Sequence, residues 1–159
     1  MRKLKVLFLC TGNSCRSQMA EGWARALKAD MLDPYSAGIV KHGMNPHAVK
    51  VMAEAGIDIS QQFSKTPAEF GPVELDYVVT VCAHADQNCP VFPGRATVVH
   101  VAFDDPPSLT KQLPDGEEKL AVYRRVRDEI RRFVEQLPGS LLAPPKSGRD
   151  TVPGAANPL

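Results

Sequence analysis

The sequence predicts an α/β protein with a parallel sheet and helices on both faces. Three observations carry this. A short apolar run, Val6-Leu7-Phe8-Leu9, opens the chain as a buried strand. Three more strand-like runs follow, separated by helical patterns, and such alternation implies parallel strands joined by crossover helices. A long amphipathic helix then ends the pattern. A length of 159 residues suits one domain with one core.

Residues 5–9 form the first predicted strand. Residues 17–29 read as a helix, with Met19, Trp23 and Leu27 at four-residue intervals on one face. A second short strand is expected at 35–39. Asn45-Pro46 is an N-cap followed by proline at the first helical position, and Gly56 stops the helix it begins. Thr66-Pro67 repeats the cap signal for a short helix. Tyr77, Val78, Val79 and Val81 mark a third strand at 76–81, and Val98, Val99 and Val101 a fourth at 96–101. The helix at 117–137 has Tyr123, Val126, Ile130, Phe133, Val134 and Leu137 on its apolar face, with Arg124, Arg125, Arg131 and Arg132 toward water. From Pro138 the chain becomes rich in proline, glycine and small residues. The expected division is one domain over 1–138 and a flexible Pro/Gly-rich C-terminal tail over 139–159.

A formal net charge of +1 gives no general attraction to nucleic acid or to an anionic membrane, so anion selectivity must come from a local site. The N-terminal apolar run is too short for a signal peptide, and nothing approaches the ~20 apolar residues of a membrane span. The expectation is a soluble cytoplasmic protein. In a reducing compartment Cys10, Cys15, Cys82 and Cys89 do not suggest a static disulfide framework. Their spacing is not the paired CxxC of a structural zinc site, so no metal is expected. Transient redox or nucleophilic use remains.

The strongest signal is Cys10-Thr11-Gly12-Asn13-Ser14-Cys15-Arg16-Ser17, between the first strand and the first helix. A loop there aims several backbone N–H groups at one point, and the helix adds its own N–H groups and positive dipole end. Gly12 is expected to allow the tight turn. Arg16 offers a planar fork for two oxygens of one anion. The whole segment, Thr11 to Ser17, is therefore an oxyanion cradle. The field that holds an oxyanion also favours a thiolate, the nucleophilic form of cysteine, and Ser17 can donate a hydrogen bond to the Cys10 sulfur. The competing reading, a buried apolar Cys10 with Arg16 in a surface ion pair, leaves the rest of the pattern unexplained. A Walker-type nucleotide loop is excluded, since no Gly-Lys-Ser/Thr follows.

The segment VLFLCTGNSCRSQMAEGW resembles the opening of low-molecular-weight protein tyrosine phosphatases and of their thioredoxin-coupled arsenate reductase relatives, and the resemblance covers roughly residues 3–137. It implies a four-stranded parallel sheet flanked by helices, and makes 1–138 a single catalytic domain. Both branches share the loop, so other residues separate them. Cys82 follows the third strand, and strand ends in a parallel sheet share one edge, so Cys82 and Cys10 should face one crevice. Taken alone, Cys82 reads as a core residue and Cys89 as an incidental loop thiol. Together with Cys10 they match the redox cysteines of the reductase branch. The resemblance leaves Cys15 a structural role. Gln18 stands where phosphatases of the family have proline.

An acid is expected from Asp104-Asp105-Pro106-Pro107, after the fourth strand. The family's Asp-Pro pair maps to Asp105-Pro106, and the aromatic residues that commonly follow it in phosphatases are replaced by Pro107 and Ser108. His42, His47, His84 and His100 carry no motif and read as surface or core residues, with His84 nearest the chemistry because it lies in the Cys82–Cys89 segment. The resemblance implies reduction of arsenate, mimicked by phosphate or sulfate, through a Cys10–Cys82–Cys89 relay. A thioredoxin-like reductant regenerates it, without cofactor and with weak phosphatase side activity. Two alternatives stay open: a phosphomonoester phosphatase using Cys10, Arg16 and Asp105 alone, and a non-enzymatic oxyanion or redox sensor. Thioredoxin-dependent arsenate turnover separates all three. Some reductases of this branch hold a potassium ion beside the loop. The matching positions here are Asn13, Glu21, Ser36 and Lys65, and those members have aspartate in place of Lys65.

Overall fold

The computed structural model describes residues 2–89 and 96–142. Strands β1 (Leu4–Cys10), β2 (Leu32–Gly38), β3 (Tyr77–Thr80) and β4 (Thr97–His100) form one sheet in the order β2-β1-β3-β4, and every pairing is parallel. β1 is interior. Its residues Val6, Leu7, Phe8 and Leu9 are all fully buried. Side chains alternate between faces along a strand, so this run means that both faces of the sheet are covered.

The expected elements are present, with shifted ends. β2 begins at Leu32, earlier than predicted, and runs through Pro34. Proline lacks the ladder N–H, and β2 can carry it because it lies at the edge of the sheet. Helix α1 spans Arg16–Leu27, and α2 spans Pro46–Glu54. The Asn45 side chain caps α2 by accepting from His47 N and Ala48 N. Gly56 ends it at φ +85°. The Thr66-Pro67 signal starts a 3₁₀ turn, Pro67–Phe70, closed by a capping box with Glu69.

Two short helices have no sequence prediction: α3 (Ala83–Gln87) and α4 (Pro106–Leu109). Both are below the length at which periodicity is readable. Helix α5 (Glu117–Glu135) buries Tyr123, Val126, Ile130, Phe133 and Val134, as its pattern predicts, and Leu120 with them; Leu137 of the predicted face is buried just beyond its end. Its arginines are engaged on the surface: Arg124 meets Glu54 and Glu117, and Arg125 meets Asp104 and Glu129. Residues Gly139–Leu142, expected within the tail, form helix α6 with Leu141 buried. The remainder of that expected tail, 143–159, lies outside the described residues.

The α1–α5 contact links the core to the first loop. The Trp23 indole N–H donates to Arg127 O at 3.2 Å. The Phe133 ring stands edge-on to Phe103, with centroids 5.8 Å apart, and the Phe103 carbonyl accepts from Arg16 at 3.0 Å. Phe133 is fully buried. Phe133→Ala is expected to lower unfolding stability by about 3–5 kcal/mol. Urea unfolding followed by far-ultraviolet circular dichroism checks this, and a loss below about 1 kcal/mol would mean that the Phe103–Phe133 contact is not central to the core.

Candidate active site

The sheet gathers the functional residues at one edge. β1 ends at Cys10. In the neighbouring β3, Thr80 pairs with Leu9, and Val81 N donates to Leu9 O at 2.9 Å, so Cys82 leaves the sheet beside the loop that follows Cys10. β4 lies next, and the chain after it returns Asp105 to Arg16, with Nη2 and Oδ1 3.4 Å apart. Cys10, Arg16, Cys82 and Asp105 are thus together, while Cys89 stands beyond the far end of α3. All four cysteines are thiols.

The backbone of the loop is turned outward on its carbonyl side. Ile39 N donates to Cys10 O, Val40 N to Thr11 O, His42 N to Gly12 O and Asn45 N to Ser14 O, at 2.9–3.1 Å. Asn13 O accepts from Gln18 Nε2 and Ser64 Oγ. Among the described residues no acceptor meets the N–H groups of residues 11–17. Carbonyls tied outward and amides left for something else are what an oxyanion cradle requires.

The tight turn expected at Gly12 is made at Asn13, whose φ is +49°; asparagine tolerates the left-handed region better than most residues. Gly12 is required for space instead, because a Cβ there would lie 2.2 Å from His42 Nδ1. Gly38, which the sequence reading did not single out, has a similar role. A Cβ there would meet Val40 O at 2.4 Å and Asn13 N at 2.6 Å, both immovable backbone.

A directed chain of hydrogen bonds ends at Cys10. The Lys65 backbone N–H donates to Asn13 Oδ1 at 3.0 Å, which fixes the orientation of the Asn13 amide. Asn13 Nδ2 donates to Ser17 Oγ at 2.8 Å and to Ser36 Oγ at 3.1 Å. Ser17 Oγ therefore accepts, and its own proton is left for Cys10 Sγ, 2.8 Å away. Such a bond is stronger to a thiolate than to a thiol. Asn13, Ser17 and Ser36 are all fully buried. Gln18 is more than a branch marker: Nε2 ties the Asn13 carbonyl to that of Phe63, and Gln62 Nε2 holds Gln18 Oε1. Proline in its place could make none of these bonds.

Arg16 is mostly buried and held at two points, by Phe103 O and by the Asp105 carboxylate. Asp105 also accepts from Ser108 Oγ at 2.7 Å. Burial pushes the Cys15 thiol well above its ordinary range, against the pull of Arg16, with Cys10 and Asp105 adding to the rise. Cys15 is thus a protonated wall residue rather than a second nucleophile.

Cys82 caps α3, its sulfur accepting from Ala85 N at 3.4 Å and lying 3.4 Å from Thr11 Oγ1. Burial and then Asp86 push the Cys89 thiol up. Three histidines contact the loop or the sheet edge, and His84 is the one its place between Cys82 and Cys89 puts nearest the chemistry. His84 Nδ1 is 3.2 Å from Thr11 Oγ1, His100 Nδ1 is 2.9 Å from Thr80 Oγ1, and His42 covers Gly12. His47 lies against Tyr123 and Asp115.

The four positions matching the family's potassium site do come together, but they do not fit an ion. The Lys65 ammonium itself lies among the oxygens, 2.9 Å from Phe63 O, 3.4 Å from Ser36 Oγ, 3.5 Å from Asn13 Oδ1 and 3.8 Å from Glu21 Oε1. A fixed cation there repels a second one. Burial lowers the Lys65 pKa, and Glu21 opposes that shift.

Residues 5–144 match the model of the low molecular weight phosphotyrosine protein phosphatase family. The chain is similar to the arsenate reductase of Halalkalibacterium halodurans, with 53% identity over 135 residues covering 85% of this chain and 95% of that one. It is similar in structure to an arsenate reductase solved in the phosphate binding state, at a TM-score of 0.59 and 34% identity, over 84% of this chain and 95% of the other. It is likewise similar to an arsenate reductase in the oxidized state, at a TM-score of 0.67 and 32% identity, over the same shares.

Two outcomes are expected from this geometry. Ser17→Ala removes the hydroxyl donor to Cys10, and iodoacetamide alkylation of Cys10 near neutral pH should slow roughly tenfold, as loss of one charge-assisted hydrogen bond of about 1.5 kcal/mol implies. Peptide-level mass spectrometry isolates the Cys10 rate, and an unchanged rate at every pH would rule the bond out. Melting temperature and arsenate kinetics should also be the same in potassium and sodium salts at equal ionic strength. A several-fold gain specific to potassium would mean that Lys65 does not hold the cation position.

Proposed function

The chain belongs to the low molecular weight phosphotyrosine protein phosphatase family, and from that membership we propose that it is its arsenate-reducing kind, an enzyme that converts arsenate to arsenite through Cys10, Cys82 and Cys89. The observation that carries this over simple phosphoester hydrolysis is the position of Cys82. A hydrolase needs one thiol and an acid, whereas here a second thiol leaves the adjacent strand beside the nucleophile's loop, with its sulfur 3.4 Å from Thr11 Oγ1. The arsenate reductases of Halalkalibacterium halodurans and Bacillus subtilis, at 53% and 50% identity, support the same reading.

The chemistry balances with three thiols. The loop amides and Arg16 hold arsenate, the Cys10 thiolate attacks arsenic, and water departs with a proton from Asp105. Cys82 then attacks the Cys10 sulfur. The S–S bond forms, the S–As bond breaks, and its electron pair reduces As(V) to arsenite. Cys89 attacks Cys82, leaving a Cys82–Cys89 disulfide and restoring the Cys10 thiol. Cys82 and Cys89 flank helix α3, seven residues apart, or about 10 Å at the helical rise. A disulfide needs Cα atoms roughly 4.4–6.8 Å apart, so α3 must rearrange in this step. That rearrangement presents the new disulfide to a thioredoxin-like reductant. No cofactor takes part in these steps. Work in a reducing cytoplasm fits this cycle, and no helix among the described residues is long and apolar enough to cross a membrane.

Cys89→Ser should release about one arsenite per enzyme and then stall. Mass spectrometry should find Cys10 joined to Cys82, and Cys10→Ser should do nothing. Steady-state turnover of Cys89→Ser with thioredoxin alone would sink the relay. Hydrolysis of para-nitrophenyl phosphate should be slow and should survive loss of Cys82 and Cys89. Hydrolysis far outpacing arsenate reduction would reverse the assignment in favour of a phosphatase.

A further inference from the structure

The relay needs Cys82 as a thiolate, and its proton must leave a buried position. Cys82 is 7% exposed, so water has little direct access to the sulfur. Its neighbours are the Ala85 N–H, which can only donate, and Thr11 Oγ1 at 3.4 Å, which can accept. That hydroxyl is in turn 3.2 Å from His84 Nδ1, and His84 is exposed. One of the two hydrogen arrangements these contacts allow makes a proton path out of the thiol. The Cys82 thiol donates to Thr11, and Thr11 donates to the bare Nδ1 of a neutral imidazole whose Nε2 carries the hydrogen. Moving both protons one place leaves a Cys82 thiolate, an intact Thr11 hydroxyl and an imidazolium in contact with water.

We infer that His84, acting through the Thr11 hydroxyl, accepts the proton of Cys82 when Cys82 attacks the Cys10 sulfur. His84 is a positioning residue in this scheme, since only Thr11 touches the reacting sulfur. The inference rests on the arsenate-reductase reading for its reaction, but the proton path itself stands on the resting geometry. In the step, the proton passes from Cys82 to Thr11 as the Thr11 proton passes to His84. The S–S bond forms, and the electron pair of the S–As bond goes to arsenic. Imidazolium then loses its proton to solvent. The Ala85 N–H bond and the N-terminus of α3 hold the thiolate meanwhile.

The other titratable groups around this relay are engaged elsewhere. Cys10, at the end of β1, meets Ser17. Asp86, on α3, accepts from Thr80 Oγ1 of β3 at 3.2 Å, and the same hydroxyl meets His100 of β4 at 2.9 Å. Cys89, at the far end of α3, has its thiol pushed up by burial and Asp86 and does not compete as a proton acceptor. Imidazole is the side-chain type suited to exchanging a proton with water around neutral pH, so the pH profile of the thiol step is the observable for this path.

The test is the rate of Cys10–Cys82 disulfide formation in Cys89→Ser protein mixed rapidly with arsenate and quenched in acid, measured from pH 5.5 to 9. With His84 present the rate should rise through an inflection in the imidazole range. In His84→Gln that inflection should vanish and the rate at pH 7 should fall at least about tenfold, with free imidazole restoring part of it. Thr11→Val should lose the same inflection from the other end of the path. A profile unchanged by His84→Gln overturns the inference. So does a rate lowered equally at every pH with the inflection kept, because that is a packing effect. If no Cys10–Cys82 disulfide forms even with His84 present, the arsenate-reductase reading fails instead. The proton path is then judged by iodoacetamide alkylation of Cys82 without arsenate, where an inflection that persists unchanged in the His84→Gln protein overturns it.

Discussion

The Asn13 side chain accepts from the Lys65 backbone N–H, and it donates to Ser17 and Ser36, all in a fully buried setting. This single amide sets the direction of every neighbouring hydrogen bond. Because Lys65 N–H can only donate, the amide cannot flip, and with Asn13 donating to it Ser17 keeps its own proton available for Cys10. The Asn13 backbone adds the left-handed turn that points the following N–H groups away from their own carbonyls. A nucleophile and an anion cradle therefore share one support. A buried polar network of this kind is rigid when every member is paired and costly when one is not, since each orphaned group carries a desolvation penalty of about 1–3 kcal/mol.

Rigidity at the loop is matched by looseness beside it. Helix α3 has five residues, too short to hold itself in water, and is kept by a few contacts. Thr80 holds Asp86, Thr11 meets His84, and the Cys82 sulfur caps the first turn. Each of these is a side-chain bond to a polar partner rather than a packed apolar face, with Ala85 the only fully buried residue of the helix. Unwinding α3 thus exposes little apolar surface, while the sheet below it, with β1 sealed on both faces, stays intact. The first thiol must be held and the third must travel, and the fold divides those demands between a strand-to-helix loop and a short helix.

Much of this was legible in the sequence because it depends on local pattern. Strand β1, the Cys10–Ser17 loop and α1 form one contiguous stretch, and so do Asn45-Pro46 before α2 and the stripe of α5. The placement of Cys82 opposite Cys10 followed from strand ends sharing an edge. Roles that depend on contacts across the fold are not readable in this way. Gly38 matters because Asn13 and Val40 lie against it, His84 because Thr11 does, and Gln18 because it joins two carbonyls from different loops. None of these has a spacing or a motif. Gly12 gives clearance beside His42 while Asn13 makes the turn, and a glycine needed for clearance and one needed for a turn look alike in one dimension. Helices α3 and α4 were missed because a helix of four or five residues shows no period.

Lys65 illustrates how far a single position can reorganise a site. Its backbone N–H orients Asn13, its carbonyl accepts from Gly38 N at 2.8 Å, and its ammonium lies among the oxygens of Glu21, Ser36, Asn13 and Phe63. One residue thus binds the end of β2, the loop and α1 together. A bound ion could supply the positive charge, but its presence would depend on concentration. A tethered ammonium is present whenever the protein is folded. It has three protons for four oxygens, so its position is set by sharing rather than by a closed coordination shell. Burial works against the charge, and Glu21, itself nearly buried, is what offsets that penalty. The two charges are mutually dependent: removing Glu21 would strand an ammonium beside the loop, and removing Lys65 would leave a carboxylate held by Ser36 and Arg25 without its buried counter-charge. The Cys10–Ser17 loop is therefore braced by a buried ion pair, Lys65 with Glu21, to which Arg25 adds a second, more exposed cation.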